Sequence, residues 1–453
     1  MTTLEPTATR PISLARNIKI GTFHIGSSMA DILVSAVWNR IAIAELGFAA
    51  FPISLLLALR YILAPLSVWI GQRSDVKAYF GYRRLPYIWG GRFMIMISLF
   101  TLALCTVAAY ETNAPLAWIG MVASVILFSV GSVFSGTTYL ALIYDITPKP
   151  QQTRVVSVVW FFLISGFAGS GILYSVLLKE YTREGFLRLF LIAPLIMGAF
   201  WFISTLGEER RQRKGEAAPQ VEQVGPRVSF GQTIRAAWAN RQTRLFFLFL
   251  GLTTMFFYTQ DIILEPFGAQ VFGMTTATTN RFSSYWGSMT LIAIIVTLLL
   301  ARRFPARINN ISASRWSVFI LIAAFALFAI SAFAGVRPLV TVALIVLGIG
   351  LGVWTVGTLG LMMDMTSIAG AGLYLSLWTV SETLARGAGT ALGGALRDIG
   401  FALFGNINIA YGGVFLVQAV GFALTLFVLS RVSIVDFHRN MPSPRAVMEG
   451  AMD

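Results

Sequence analysis

Gly71-Gln72-Arg73-Ser74-Asp75-Val76-Lys77-Ala78-Tyr79-Phe80-Gly81-Tyr82-Arg83-Arg84 is a basic loop set between long apolar runs, and the pattern it punctuates decides the fold. Before it lie apolar runs near 20–46 and 50–72, and after it one near 88–110. A helix that crosses about 30 Å of hydrocarbon needs roughly 20 such residues. Working outward, runs of this kind recur near 116–145, 154–178 and 187–207, then near 244–271, 281–301, 315–335, 338–364, 370–396 and 407–430. The expected architecture is therefore an all-α membrane protein of twelve transmembrane helices. A six-helix bundle over 20–207 and another over 244–430 flank a polar linker at 208–243, with tails at 1–19 and 431–453. Of the 453 residues 56% are hydrophobic and 12% charged, a balance that excludes a soluble or disordered chain.

The 34 Lys+Arg against 20 Asp+Glu give a net charge of +14. In a soluble protein that would suggest nucleic acid; in a membrane protein the question is where the charges sit. With an even number of spans, 25 of them fall with the two tails and the loops on that side, five of these over 72–92. Six fall on the opposite side and three (Arg40, Arg60, Arg386) within spans. The bias predicts both termini in the cytoplasm, an attraction to anionic lipid headgroups, and no nucleic-acid partner. The N-terminus lacks a basic n-region and cleavage site, so the first span is expected to remain. A lone cysteine, Cys105, excludes an internal disulfide, and two histidines, His24 and His438, exclude a His-rich metal site. No nucleophile-base constellation, phosphate loop or metal cluster is visible, so an enzyme is not expected.

The halves echo one another. Thr138 to Asp145 and Thr147, ending the fourth span, matches Gly357 to Asp364 and Thr366, ending the tenth. Each is followed by a span rich in small residues, Gly169 with Gly171 and then Gly387, Gly389, Gly393 and Gly394, which let helices approach closely in lipid. In the opening loop, Gly71, Asp75, Gly81, Arg83 and Arg84 resemble motif A of the major facilitator superfamily, although the spacing from the Asp to the second Gly is longer than usual. The resemblance implies two pseudo-symmetric six-helix halves and a cytoplasmic gate. In that gate Gly71 permits close helix approach and Asp75 accepts from arginines to hold the cytoplasmic side shut, while Asp145 and Asp364 are expected to close the two domains with nearby arginines such as Arg154.

Further stretches narrow the group. Trp38-Asn39-Arg40 with Glu45, Arg83-Arg84-Leu85-Pro86-Tyr87, Asp145 to Pro148 with Arg154, Gln260-Asp261 through Glu265-Pro266-Phe267-Gly268, and Gly372 to Asp398 are together similar to the PucC/LhaA family, also called the bacteriochlorophyll delivery family. The resemblance runs from about Asn39 to about Asp398. It implies assembly of light-harvesting antenna in a photosynthetic membrane, by delivering (bacterio)chlorophyll to nascent antenna polypeptides or by chaperoning them. It also implies (bacterio)chlorophyll as cargo, with antenna polypeptides and the terminal pigment-synthesis enzymes as partners. No residue pattern shows pigment binding independently.

Ionisable groups inside spans cost several kcal/mol unless paired or hydrated, so each is a candidate. Asn39, Arg40 and Glu45 in the first span and Gln260, Asp261 and Glu265 in the seventh occupy matching helices. The four-residue step from Asp261 to Glu265 predicts one helix face, with a break at Pro266. A central ligand site and a set of salt bridges both fit these groups. Glu382 and Arg386 in the eleventh span have the spacing of an intrahelical pair. His24 is the residue to test as an axial pigment ligand, against the alternative of an interfacial polar group. Two other functions compete with antenna assembly: ion- or proton-coupled transport of a small solute through the carboxylates of spans one and seven, and a permanent structural subunit of an antenna complex.

Overall fold

The computed structural model describes residues 12–211, 241–305, 308–364, 371–433 and 436; the side chains of 68 and 371–377 are left aside. Most of the expected linker, the far ends of both tails and Thr366 lie outside the described residues. The chain is all-α, its one extended feature among the described residues being a bridge between Tyr79 and Tyr82. Nine described helices are long and apolar enough to cross a membrane.

In chain order the helices are α1 (Leu14–Gly21), α2 (Phe23–Ile32), α3 (Ala50–Ile62), α4 (Leu66–Val76), α5 (Leu85–Thr112), α6 (Pro115–Ile146), α7 (Gln152–Leu177) and α8 (Arg183–Thr205). They continue with α9 (Arg241–Tyr258), α10 (Leu264–Phe272), α11 (Thr276–Asn280), α12 (Phe282–Arg303), α13 (Asn310–Ala334), α14 (Pro338–Asp364), α15 (Ala371–Phe404) and α16 (Ile407–Leu429). Two of the expected spans are broken. The second divides into α3 and α4 just before Leu66, which follows Pro65, and the seventh into α9 and α10 around turns at 259–263. The first span continues beyond α2 through two π-helical stretches, Leu33–Trp38 and Ile41–Glu45.

The chain forms two compact units, Met1–Gly47 with Ile62–Val221 and Thr275–Ser284, and Phe48–Tyr61 with Glu222–Met274 and Tyr285–Asp453. Two segments therefore leave chain order. The start of α3 joins the second unit because the Asp398 carboxylate on α15 accepts the free N–H groups of Ala50 and Phe51, at 3.1 and 2.7 Å. The 275–284 segment joins the first unit, where Ala277 N–H donates to Lys179 O (3.0 Å) and Ser284 Oγ to Ala168 O (2.7 Å).

Small residues bring helices together as lipid-embedded packing requires. Gly91 on α5 and Gly131 on α6 each lie against the other's carbonyl oxygen, and a methyl group on either would clash with it. One charge assignment changes: Arg92, grouped in sequence with the 72–92 loop, lies inside α5 and is 5% exposed, so it does not belong to the loop charge.

Candidate functional site

The opening loop folds as a small hairpin. Tyr79 and Tyr82 exchange two backbone hydrogen bonds of 2.9 Å, and the turn between them needs positive φ at both central residues. Gly81 supplies +83° without cost, whereas Phe80 takes +54° and is 87% exposed. Gly71 has a different role from the expected one: a methyl there would meet only Thr137 Cγ2, at 3.6 Å, so no close approach depends on it.

Arg84, at the N-cap of α5, organises this end of the first unit. Its Nη2 pairs with Asp75 (2.6 Å), its Nε with Asp145 (3.0 Å), and its Nη1 donates to Ser74 Oγ (2.6 Å). Arg83 Nη2 stands 3.7 Å from Asp145. Burial disfavours the Arg84 charge, but the carboxylates of Asp145 and Asp75 outweigh it and hold the guanidinium above its ordinary pKa. Asp75, Arg83, Arg84 and Asp145 are thus brought together within the first unit. Arg154 is not: it is exposed and makes no ion pair among the described residues. Asp364, expected to meet arginines, accepts instead from the neutral Asn310 Nδ2 at 2.8 Å.

Two further residues of this cluster were expected in the linker. Glu209 accepts from the backbone N–H groups of Arg83 (2.7 Å), Arg84 (3.0 Å) and Leu85 (2.8 Å), capping α5 from a distant part of the chain. Glu208, 8% exposed, binds Arg16 Nε (2.7 Å) and Lys19 Nζ (2.9 Å) on α1. The signal was present: two adjacent acids directly after an apolar run, and an α5 start without an acidic or hydroxyl cap of its own.

Within the first span, Arg40 Nη1 pairs with Glu45 Oε1 at 2.7 Å, the first 2% and the second 32% exposed. The five-residue spacing suits the wider π-helical turn in which Glu45 lies. Asn39 is fully buried; its Nδ2 donates to Ser35 O (2.8 Å), while its Oδ1 has no donor among the described residues.

The seventh span differs from its sequence reading in one respect. Asp261 lies in the 259–263 turns, where successive i to i+3 bonds (Asp261 N to Tyr258 O and Ile263 N to Gln260 O, both 3.1 Å) replace the helix, so it does not share a helical face with Glu265. The break precedes Pro266, which sits in the first turn of α10 where its missing N–H costs nothing. Glu265, 4% exposed, occupies the same turn, where the helix dipole favours a carboxylate. Gln260 is 5% exposed and its Oε1 is sealed from solvent with no donor among the described residues. Gly389 and Gly393 on α15 lie against the carbonyl oxygens of Met255 and Thr259 and leave no room for a side chain.

Around this break the polar groups form a chain. Arg397 Nη2 and the Tyr411 hydroxyl both donate to Gln270 Oε1 at 2.7 Å, and Arg397 Nη1 pairs with Asp398 at 2.8 Å. Arg386 lies over the rings of Tyr258 and Tyr61, at 4.1 and 4.9 Å, a cation–π arrangement in addition to its electrostatic contact with Glu382. His24 lies edge-on to Tyr139 (5.2 Å) and Phe23 (5.8 Å) in the first unit, its Nδ1 sealed and without a partner among the described residues.

These features place the chain among known proteins. It is 28% identical over 403 residues to Protein PucC of Rhodovulum sulfidophilum, covering 86% of this chain and 87% of that one. It is 27% identical over 425 residues to a Rhodobacter capsulatus protein named bacteriochlorophyll synthase 44.5 kDa chain, covering 91% and 94%. Among solved structures, an inward-facing bacterial homolog of the human lysosomal transporter Spinster matches with a TM-score of 0.68 at 13% identity, over 97% of this chain and 100% of that one. That likeness shows the major facilitator fold and nothing further. The family described as PUCC protein matches residues 37–437, and the chain, a multi-span membrane protein of that fold, belongs to it.

Proposed function

We propose that this protein is an assembly factor for light-harvesting antenna, which delivers (bacterio)chlorophyll to nascent antenna polypeptides or chaperones those polypeptides in the photosynthetic membrane. The observation that carries the reading is the family match along residues 37–437. The names of the relatives, Protein PucC and bacteriochlorophyll synthase 44.5 kDa chain, point the same way. The positive-inside bias orients both termini toward the cytoplasm.

The broken seventh span is the proposed cargo-facing element. A pigment magnesium is a hard ion that takes oxygen ligands, and Gln260 Oε1, without a donor among the described residues, and the buried Glu265 carboxylate both supply that chemistry. His24 is the alternative ligand, with a nitrogen donor that its aromatic neighbours now cover.

The test is purification in gentle detergent from a phototrophic host during antenna assembly, followed by absorption spectroscopy and identification of bound polypeptides. Co-purifying pigment or antenna polypeptide is expected, and a deletion strain should lose antenna while still making free pigment. Recovery of neither, together with normal antenna in the deletion strain, would overturn the reading. It would favour the second one, ion- or proton-coupled solute transport, which rests on the shared transporter fold.

A further inference from the structure

Among the described residues, Arg92 is the one deeply buried arginine that the loop network, the first-span pair and the seventh-span chain leave unexplained. It projects from the second turn of α5 into the first unit and is 5% exposed. Its guanidinium carbon lies 4.4 Å from the centre of the Phe23 ring and 4.6 Å from that of Trp201, so it is held between aromatic faces on α2 and α8. Tyr139 stacks on Phe23, with ring centres 3.7 Å apart, and spends its hydroxyl on Ile20 O (2.7 Å). Asp31 is near enough to feel the charge, yet Arg92 makes no hydrogen bond or ion pair with any described residue.

This is costly. A guanidinium taken out of water without an acceptor loses several kcal/mol, and each ring returns only about 0.5–2 kcal/mol. The other deeply buried arginines show the usual solution: Arg40 has Glu45, and Arg84 has Asp75 and Asp145. At Arg92 the atoms also differ among themselves. Nε is sealed, with under 1 Å² of accessible surface and no partner among the described residues, whereas that holds for neither Nη atom.

We propose that Arg92 is the core of an oxyanion site inside the first unit, which takes a carboxylate or phosphate group on its Nη edge with Phe23 and Trp201 holding the guanidinium plane. Such a group completes the fork of parallel N–H donors that guanidinium offers to planar oxyanions. The site is separate from the seventh-span cargo element and does not depend on the antenna reading.

The oxyanion has two available sources, a lipid headgroup or a free ion, and one experiment on the full-length protein in detergent separates them. Thermal unfolding is followed with and without inorganic phosphate or acetate, and native mass spectrometry is run after reconstitution in nanodiscs containing phosphatidylglycerol and phosphatidylethanolamine. A rise of the midpoint with phosphate or acetate, lost in Arg92→Met, identifies a free-ion site. Retention of phosphatidylglycerol by the wild type, about 10- to 100-fold weaker in Arg92→Met, identifies a headgroup site, a loss matching one or two charge-assisted hydrogen bonds. Arg92→Lys keeps the charge without the fork and should fall between. Should Arg92→Met fail to fold, the wild type decides alone: no midpoint shift with either ion and no retained phosphatidylglycerol overturns the proposal and leaves Arg92 a water-satisfied packing residue.

Discussion

Asp145 and Asp364 close the same sequence frame at the ends of α6 and α14, yet the two units use them differently. In the first unit the carboxylate joins Asp75 on Arg84, with Arg83 beside it and Glu209 clamping the backbone of all three residues at the start of α5. In the second, Asp364 accepts from the amide of Asn310, whose carboxamide lies so close to Gly360 that a methyl there would displace it. One end is a charged network sharing a single buried cation; the other is a charge-to-amide bond. A repeated carboxylate therefore does not imply a repeated lock. The first arrangement loses heavily when its hub is removed, and the second shows no such hub among the described residues.

That contrast can be broken most directly at Arg84. Arg84→Met should give the largest fall in thermal midpoint of the set, equivalent to roughly 2–3 kcal/mol. It strands two carboxylates, but their side chains are 38% exposed, so water recovers part of the loss. The pH dependence has a defined sign: a raised folded pKa contributes stability that is complete below the unfolded value and lost only as pH climbs through the folded one, so this residue gives no acid-side loss of its own. Next, Asp75→Asn and Asp145→Asn should each cost about 1 kcal/mol, with the double variant departing from additivity by roughly 0.5–1 kcal/mol because both act through one guanidinium. Strict additivity would show that Arg84 does not couple them. Smaller again is Glu209→Gln, which keeps an acceptor for α5 but removes the charge that complements the helix dipole, about 0.5–1 kcal/mol and reduced by salt.

Much of this end was legible in the sequence. Hydropathy located the long apolar helices, and the resemblance to motif A singled out Asp75, Arg83 and Arg84, but it assigned Asp145 to Arg154 rather than to Arg84. What stayed hidden depended on the third dimension. Glu208 and Glu209 looked like linker because their partners, Arg16, Lys19 and the start of α5, lie more than a hundred residues away. Arg92 was counted with the loop charge because helix length alone does not say where α5 begins to be buried. Asp261 and Glu265 kept their four-residue spacing, but the turns at 259–263 changed its meaning. Pro266 signalled the break and placed it a few residues late, since proline is tolerated in a first turn and the interruption lies ahead of it.

The smallest effect tests the comparison most sharply. Asp364→Asn retains an oxygen to accept from Asn310 Nδ2, and the partner is neutral, so the change weakens one charge-assisted bond and strands no ion. The expected cost is within about 0.5 kcal/mol and insensitive to salt, whereas Asp145→Asn should cost about twice as much or more and lose part of that difference at high ionic strength. Thermal midpoints of the two variants, measured side by side at low and high sodium chloride, decide it. Equal costs with equal salt dependence would mean that Asp364 works against a cation and that the two ends are locked by the same chemistry. A smaller, salt-independent cost at Asp364 would leave the second unit's end held mainly by its amide and its packing, and the charged network centred on Arg84 as a feature of the first unit.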